Sequence, residues 1–168
     1  GWVLSRAVIC ASSLPIVALL FPGDFLGRPY RAAFPYTAET ATEVQLCCYG
    51  RAYFEGFMQE QSDLKQIFLE RTLDSVDAAR DWMLLLGRKT AQEKVAALLL
   101  TILQRTSRPC PDCEQGPCRQ LIMPLTRTEM ADYLGLRLET VSRQLKHLAA
   151  IGTIKRLDPR RISGRDDK

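Results

Sequence analysis

At 168 residues, 46% hydrophobic and 25% charged, the chain has an ordinary globular composition and room for one medium domain or two small ones. A single histidine, no glycine-rich phosphate loop and no nucleophile–base pair leave nothing on which to build catalysis, so an enzyme is the weakest reading. The formal net charge is only +4, yet it is unevenly spread: residues 119–168 hold 11 Lys and Arg against 6 Asp and Glu, and residues 1–118 hold 12 against 13. The positive excess therefore lies at the C-terminal end, where it suits contact with phosphate. The longest apolar run, Leu14 to Phe21, is interrupted by Pro15 and falls far short of the ~20 residues that cross a bilayer as a helix. With no secretory signal either, a cytoplasmic location and no membrane partner are expected. The chain opens at Gly1 in what reads as mid-domain sequence.

Residues 1–50 read as strands and turns. Val17 to Phe21 is a short buried strand ended by the turn signal Pro22-Gly23. Gly23-Asp24-Phe25-Leu26-Gly27 follows, then a polar and aromatic loop, then Thr42 to Tyr49. So little strand cannot close a barrel alone. Arg51 to about Met58 is a short helix carrying Phe54 and Phe57. Ser62 to Leu86 lacks Pro and Gly, and Leu64, Phe68, Ser75, Ala79, Trp82/Met83 and Leu86 recur at threes and fours, which predicts one long helix. Two such stripes would face each other across a two-fold seam. Gly87-Arg88-Lys89 is expected to break the helix. Thr90-x-x-Glu93 is a capping box that opens the next one, which runs to about Gln104 with Val95, Leu98, Leu99, Ile102 and Leu103 turned inward.

Cys110, Cys113 and Cys118 then form a C-x2-C-x4-C loop with Pro and Gly between the thiols. Such a short chelate can hold zinc or an iron–sulfur cluster, and it can equally be a reduced, exposed loop. Three thiolates need a fourth ligand, left open among Cys47, Cys48, a water and a second chain. Cys47 is carried as the candidate.

Thr126 to Leu148 reads as two short helices joined by a tight turn. Thr126 and Glu129 make a second capping box, Met130, Ala131 and Leu134 point inward, and Gly135 supplies the left-handed residue that ends the first helix. The second helix, about Leu138 to Ala150, buries Val141, Leu145 and Leu148 and presents Glu139, Thr140, Ser142, Arg143 and Lys146 on the opposite face. Ala131, Gly135 and Val141 sit at the offsets a helix-turn-helix needs for its crossing, its turn and its inner face. Gly152 stops the second helix. Thr153 to Leu157 and Arg161-Ile162 flank Asp158-Pro159-Arg160, a hairpin with a basic tip in which Arg160 would meet backbone phosphate.

The stretch Glu139-Thr140-Val141-Ser142-Arg143 is similar to the E-x-x-S-R signature on the recognition helix of the Crp/Fnr family of bacterial transcription regulators, Fnr-type branch, and the resemblance covers nearly the whole chain from about Ile16. It implies that Glu139, Ser142 and Arg143 read base edges of a TTGAT-type half-site. The chemistry agrees, because Arg can donate twice to guanine and Glu can accept from cytosine. The segment Phe-Pro-Gly-Asp-Phe-Leu-Gly at 21–27 is similar to a corner of the family's β-roll, whose first half is absent from this chain. The opening stretch from Val3 to Ser13 does not match the strand–turn–strand expected there. The resemblance also implies that the long helix is the dimerisation helix and that RNA polymerase is a partner. Members that bind cyclic nucleotide need an Arg-Ser pair about ten residues before the position of Glu43-Val44. Ala32-Ala33 stand there instead, so cyclic nucleotide is not expected. Fnr-type regulators hold a 4Fe–4S cluster through three N-terminal cysteines and one in the β-roll. Cys47 falls close to the latter position, while the loop trio departs from the pattern.

The expected fold class is therefore α+β: a partial β-roll sensor domain over 1–61, a dimerisation helix over 62–87 and a winged helix-turn-helix over 88–168. The expected function is a homodimeric regulator that binds double-stranded DNA. The alternative is a redox or metal sensor using the cysteine-rich loop, its DNA binding impaired by truncation.

Overall fold

A computed structural model of the chain describes residues 7–10, 16–31, 33, 37–106, 108–109, 118–156 and 161–165. Three short strands come first: β1 (Ala7–Cys10), β2 (Ile16–Leu20) and β3 (Thr37–Thr40). They form an antiparallel sheet in the order β2-β1-β3, with Ala7 opposite Leu20 on one side and Thr40 on the other. Among the described residues the opening stretch supplies one strand, the central β1, and not a strand–turn–strand. One expectation changes here: Thr42 to Tyr49 contributes no strand. A strand needs a ladder partner for its backbone groups, and the open side of β1 is taken by Thr37–Thr40. Residues 45–50 are left outside any sheet and exposed.

Helix α1 (Arg51–Glu60) and helix α2 (Ser62–Arg88) are separated only by Gln61, whose extended backbone caps one and opens the other. Gly87 does not break α2. It keeps an ordinary helical φ, unlike Gly23, Gly27, Gly135 and Gly152, and the Lys89 N–H still reaches the Leu85 carbonyl at 3.1 Å. A glycine inside a helix costs roughly 1 kcal/mol against alanine, which weakens the helix without ending it.

The expected stripe on α2 is only partly free. Phe68 packs edge-on against Phe25, with ring centroids 5.2 Å apart, and also meets Phe54 of α1. Trp82 stacks on Tyr133 at 4.2 Å. Both side chains are satisfied within the chain. The apolar residues left outward include Leu69, Leu73, Val76 and Met83, a line at spacings of four, three and seven that lies roughly 100° around the helix from Phe68.

Helix α3 (Ala91–Thr106) starts from the predicted box. The Thr90 N–H donates to the Glu93 carboxylate at 2.8 Å and the Glu93 N–H to the Thr90 hydroxyl at 3.4 Å. The backbone hydrogen bond from Thr90 holds the Glu93 carboxyl below the usual carboxylate range, helped by the Thr90 hydroxyl. Beyond it lie β4 (Arg108–Pro109), β5 (Cys118–Ile122), α4 (Arg127–Leu134), α5 (Leu138–Ala150), β6 (Ile154–Arg156) and β7 (Arg161–Arg165). The second sheet has the order β4-β5-β7-β6, so the hairpin β6–β7 is joined through β7 to a strand that precedes the helix pair.

The core sits where α3, α4 and α5 meet. Val95, Leu98, Ile102, Met130, Leu134 and Val141 are its most enclosed side chains. Ile16 and Phe21 from the first sheet and its corner bury into the same cluster. The expected boundaries at 61/62 and 87/88 follow chain order, and this core runs across both.

Candidate nucleic-acid interface

Helix α4 is set by its ends. The Thr126 hydroxyl accepts from the Glu129 N–H at 3.2 Å, and the Glu129 carboxylate accepts from the Thr126 N–H at 2.6 Å, which satisfies two donors that an unaided helix start leaves orphaned. At the other end Gly135 adopts φ 61° and ψ 39°, and the Leu136 N–H turns back to the Ala131 carbonyl at 2.9 Å. A Cβ on Gly135 would meet nothing within 4 Å, so the demand for glycine comes from the backbone conformation alone. This closed turn aims α5 across α4.

On α5 the predicted division of faces is observed. Val141, Leu145 and Leu148 are buried against α3 and α4. Glu139, Arg143 and Lys146 are exposed, Thr140 and Ser142 are half-buried, and His147 is exposed. The carboxylate of Glu139 and the guanidinium of Arg143 therefore stand in solvent, about one turn apart, on a helix whose opposite face is locked into the core. Leu148 and Thr153 close the far end: the Thr153 N–H returns to the Leu148 carbonyl at 3.1 Å across Gly152, whose φ of 77° makes the reversal. The wing strands β6 and β7 follow. Arg160 lies outside the described residues.

Of the cysteines, Cys47 and Cys48 are free and exposed in the segment before α1. Cys118 opens β5 opposite Arg165, and Cys110 and Cys113 lie outside the described residues. Among the described residues no three His, Cys, Asp or Glu side chains are grouped to hold an ion.

Four contacts carry no mark in the sequence. Arg127, at the first turn of α4, lies 3.5 Å from the Ser142 hydroxyl. Tyr133 stacks on Trp82, and burial pushes its phenol up to about 12. Arg105, at the end of α3, pairs with Asp24 of the β-region corner and stands 5.2 Å over the Phe21 ring. Arg105 and Asp24 are 81 residues apart, and no local pattern marks such a pair.

A capped first helix, a glycine turn, a second helix with one polar face and a following hairpin define a winged helix-turn-helix protein. The Crp-like helix-turn-helix domain family matches residues 93–166. Over 139 residues the chain is 50% identical to the transcriptional activator protein FnrL of Cereibacter sphaeroides, covering 83% of this chain and 56% of that protein. It is 37% identical over 154 residues to the nitrogen fixation regulation protein FixK of Bradyrhizobium diazoefficiens, covering 88% of this chain and 63% of that protein. The structure of FixK2 from Bradyrhizobium japonicum superposes with a TM-score of 0.76 at 29% identity, over 97% of this chain and 79% of that one. Residues 93–166 thus carry a Crp-like helix-turn-helix domain, and the relatives that the chain matches are transcription regulators of the Fnr and FixK kind. The chain spans little more than half the length of FnrL. These relatives are regulators and not enzymes.

Proposed function

We propose that this chain acts as a sequence-specific DNA-binding transcription regulator, with α5 as the helix that enters the major groove. The observation that carries the reading is the two-faced geometry of α5: Glu139, Arg143 and Lys146 exposed to solvent, opposite Val141, Leu145 and Leu148 fixed in the core. In this reading Arg143 donates to guanine, Glu139 accepts from cytosine and Ser142 completes a TTGAT-like half-site, with Thr140 and Lys146 beside them. Arg160 contacts phosphate from the wing.

The protein works as a homodimer in this reading, so that two recognition helices meet a palindrome about one turn of DNA apart. The seam is the outward line Leu69, Leu73, Val76 and Met83 on α2. The three-part division at 1–61, 62–87 and 88–168 then stands as a division of roles: sensor region, dimerisation helix and DNA-binding module. RNA polymerase is the partner that activation would require, and the place of work is the cytoplasm. Among the described residues no helix is long and apolar enough to cross a membrane.

The test is a gel shift on palindromic against scrambled duplex across a range of salt. Preference for the palindrome that persists as salt weakens total binding supports base readout. Equal binding to both would reduce the protein to a nonspecific cation.

A second reading, a metal or redox sensor, draws on the two exposed thiols Cys47 and Cys48 and on the loop trio Cys110, Cys113 and Cys118. It predicts stoichiometric zinc or iron in protein purified without oxygen, lost in Cys113→Ser. Metal-free protein with freely reactive thiols would remove it.

A further inference from the structure

The five residues Phe21 to Phe25 reach both the DNA-binding module and the long helix. Phe21 buries its ring in the cluster formed by Val95, Leu98, Ile102, Met130 and Leu134. Four residues on, Phe25 stacks on Phe54 of α1 at 5.2 Å and meets Phe68 of α2 edge-on at 5.2 Å. The turn between them is closed twice. The Asp24 N–H donates to the Phe21 carbonyl at 3.0 Å, and the Phe21 N–H donates to Asp24 Oδ2 at 2.8 Å. Gly23, at φ 88°, allows the reversal. The other carboxylate oxygen of Asp24 receives Nη2 of Arg105, whose guanidinium lies over the Phe21 ring. A rigid corner thus presents one aromatic ring to the DNA-binding module and another to the dimerisation helix, and Arg105 clasps it from α3. Separately, the Trp82–Tyr133 stack ties the same module to α2 directly.

The clasp leaves the recognition face open, since Glu139, Arg143 and Lys146 remain exposed. It therefore does not mask the DNA-binding surface. We propose that the Phe21–Phe25 corner, clasped by Arg105, is a mechanical coupler that fixes the helix-turn-helix relative to α2. A shift of α1 and α2 at Phe25 is passed through the closed turn to α3 and α4, and so alters the spacing of two recognition helices in a dimer. The consequence for DNA rests on the function proposed above, whereas the coupling itself does not. The ion pair is exposed and lies against an aromatic face, so it adds a modest bias toward one arrangement and is readily released.

A double-mutant cycle on the full chain tests it, with Asp24→Asn, Arg105→Gln and the pair. The amide introduced by Asp24→Asn still offers an oxygen to the Phe21 N–H, so the turn survives and only the clasp is lost. Two readouts are taken: hydrogen exchange of the α4 backbone amides, and affinity for a palindrome against a single half-site. Each single substitution is expected to speed exchange in α4 and to lower palindrome affinity on the order of tenfold, a usual size for coupling between sites, with half-site affinity unchanged. The double variant should be no worse than either single one. Unchanged exchange, or effects that simply add, would overturn the proposal. Arg105→Lys, which keeps the charge and loses the planar group over Phe21, should fall between wild type and Arg105→Gln in exchange, and a wild-type value there would also count against the aromatic half of the clasp. If wild type shows no preference for the palindrome while the exchange cycle behaves as expected, the DNA reading fails and the coupler stands.

Discussion

Helices α4 and α5 differ from helix α2 in where their faces are decided. In the short pair every local device points the same way: a capping box at Thr126 and Glu129, a left-handed Gly135, and an aliphatic line at Val141, Leu145 and Leu148. Each of these acts within a few residues of chain, so the geometry follows from the sequence around it. In α2 the apolar residues run around more than one face, and which of them meet a partner depends on segments far away. Phe68 finds Phe25 and Phe54, and Trp82 finds Tyr133. The face turned outward is then Leu69, Leu73, Val76 and Met83. A helix built on its own caps is legible residue by residue, whereas one covered from several directions is legible only as a helix.

The sharpest break between the two cases is Leu73→Glu. On the outward line of α2 it would place like charges together on the proposed two-fold seam, and the protein is expected to sediment as a monomer. Ala79→Glu, on the line read from the sequence, should disturb association less. If the order of the two is reversed, the seam is the one on the Phe68 side.

Next in size is Leu134→Ala. The side chain is fully enclosed, so its loss should cost about 2–5 kcal/mol in unfolding free energy from denaturant titration. Gly135→Ala should cost about 1–2 kcal/mol by the same measurement, because the added Cβ meets open space and only the left-handed backbone resists it. A loss as large as that of Leu134→Ala would mean that the turn is crowded and not merely strained.

The effect confined to the narrowest conditions concerns pH. In the folded state burial keeps the Tyr133 phenol protonated up to about 12, while the unfolded chain loses that proton near the ordinary value of 10.0. Between those values the folded state holds more protons, so stability falls as pH rises from 10.0 toward 12 and is untouched by this group below 10.0. Tyr133→Phe should flatten the dependence in that window. An unchanged slope would show that Tyr133 is not enclosed by Trp82.

The sequence makes α3, α4 and α5 legible to within a residue or two, because glycine turns and capping boxes punctuate them, whereas the second wing strand runs on to Arg165, past the Arg161-Ile162 read from the sequence. It makes the two faces of α5 legible too: Glu139, Arg143 and Lys146 emerge on its open side. The first sheet is harder to read. Strands take their identity from partners, and β1 pairs with Thr37–Thr40, residues separated from it by a second strand and a corner. The clasp of Asp24 by Arg105 is hidden for the same reason, since an ion pair across 81 residues leaves no spacing to find.

The central claim is that α5 reads bases through Arg143. The direct measurement is the ratio of palindrome to scrambled-duplex affinity for wild type and Arg143→Ala at several salt concentrations, with Arg160→Ala beside them. The account predicts that Arg143→Ala loses about 1–3 kcal/mol per half-site of discrimination. Arg160→Ala should weaken both duplexes alike and lower the salt slope. Arg143→Ala that keeps the wild-type ratio while binding both duplexes more weakly would contradict it, because Arg143 would then be a phosphate contact and the bases would be read elsewhere.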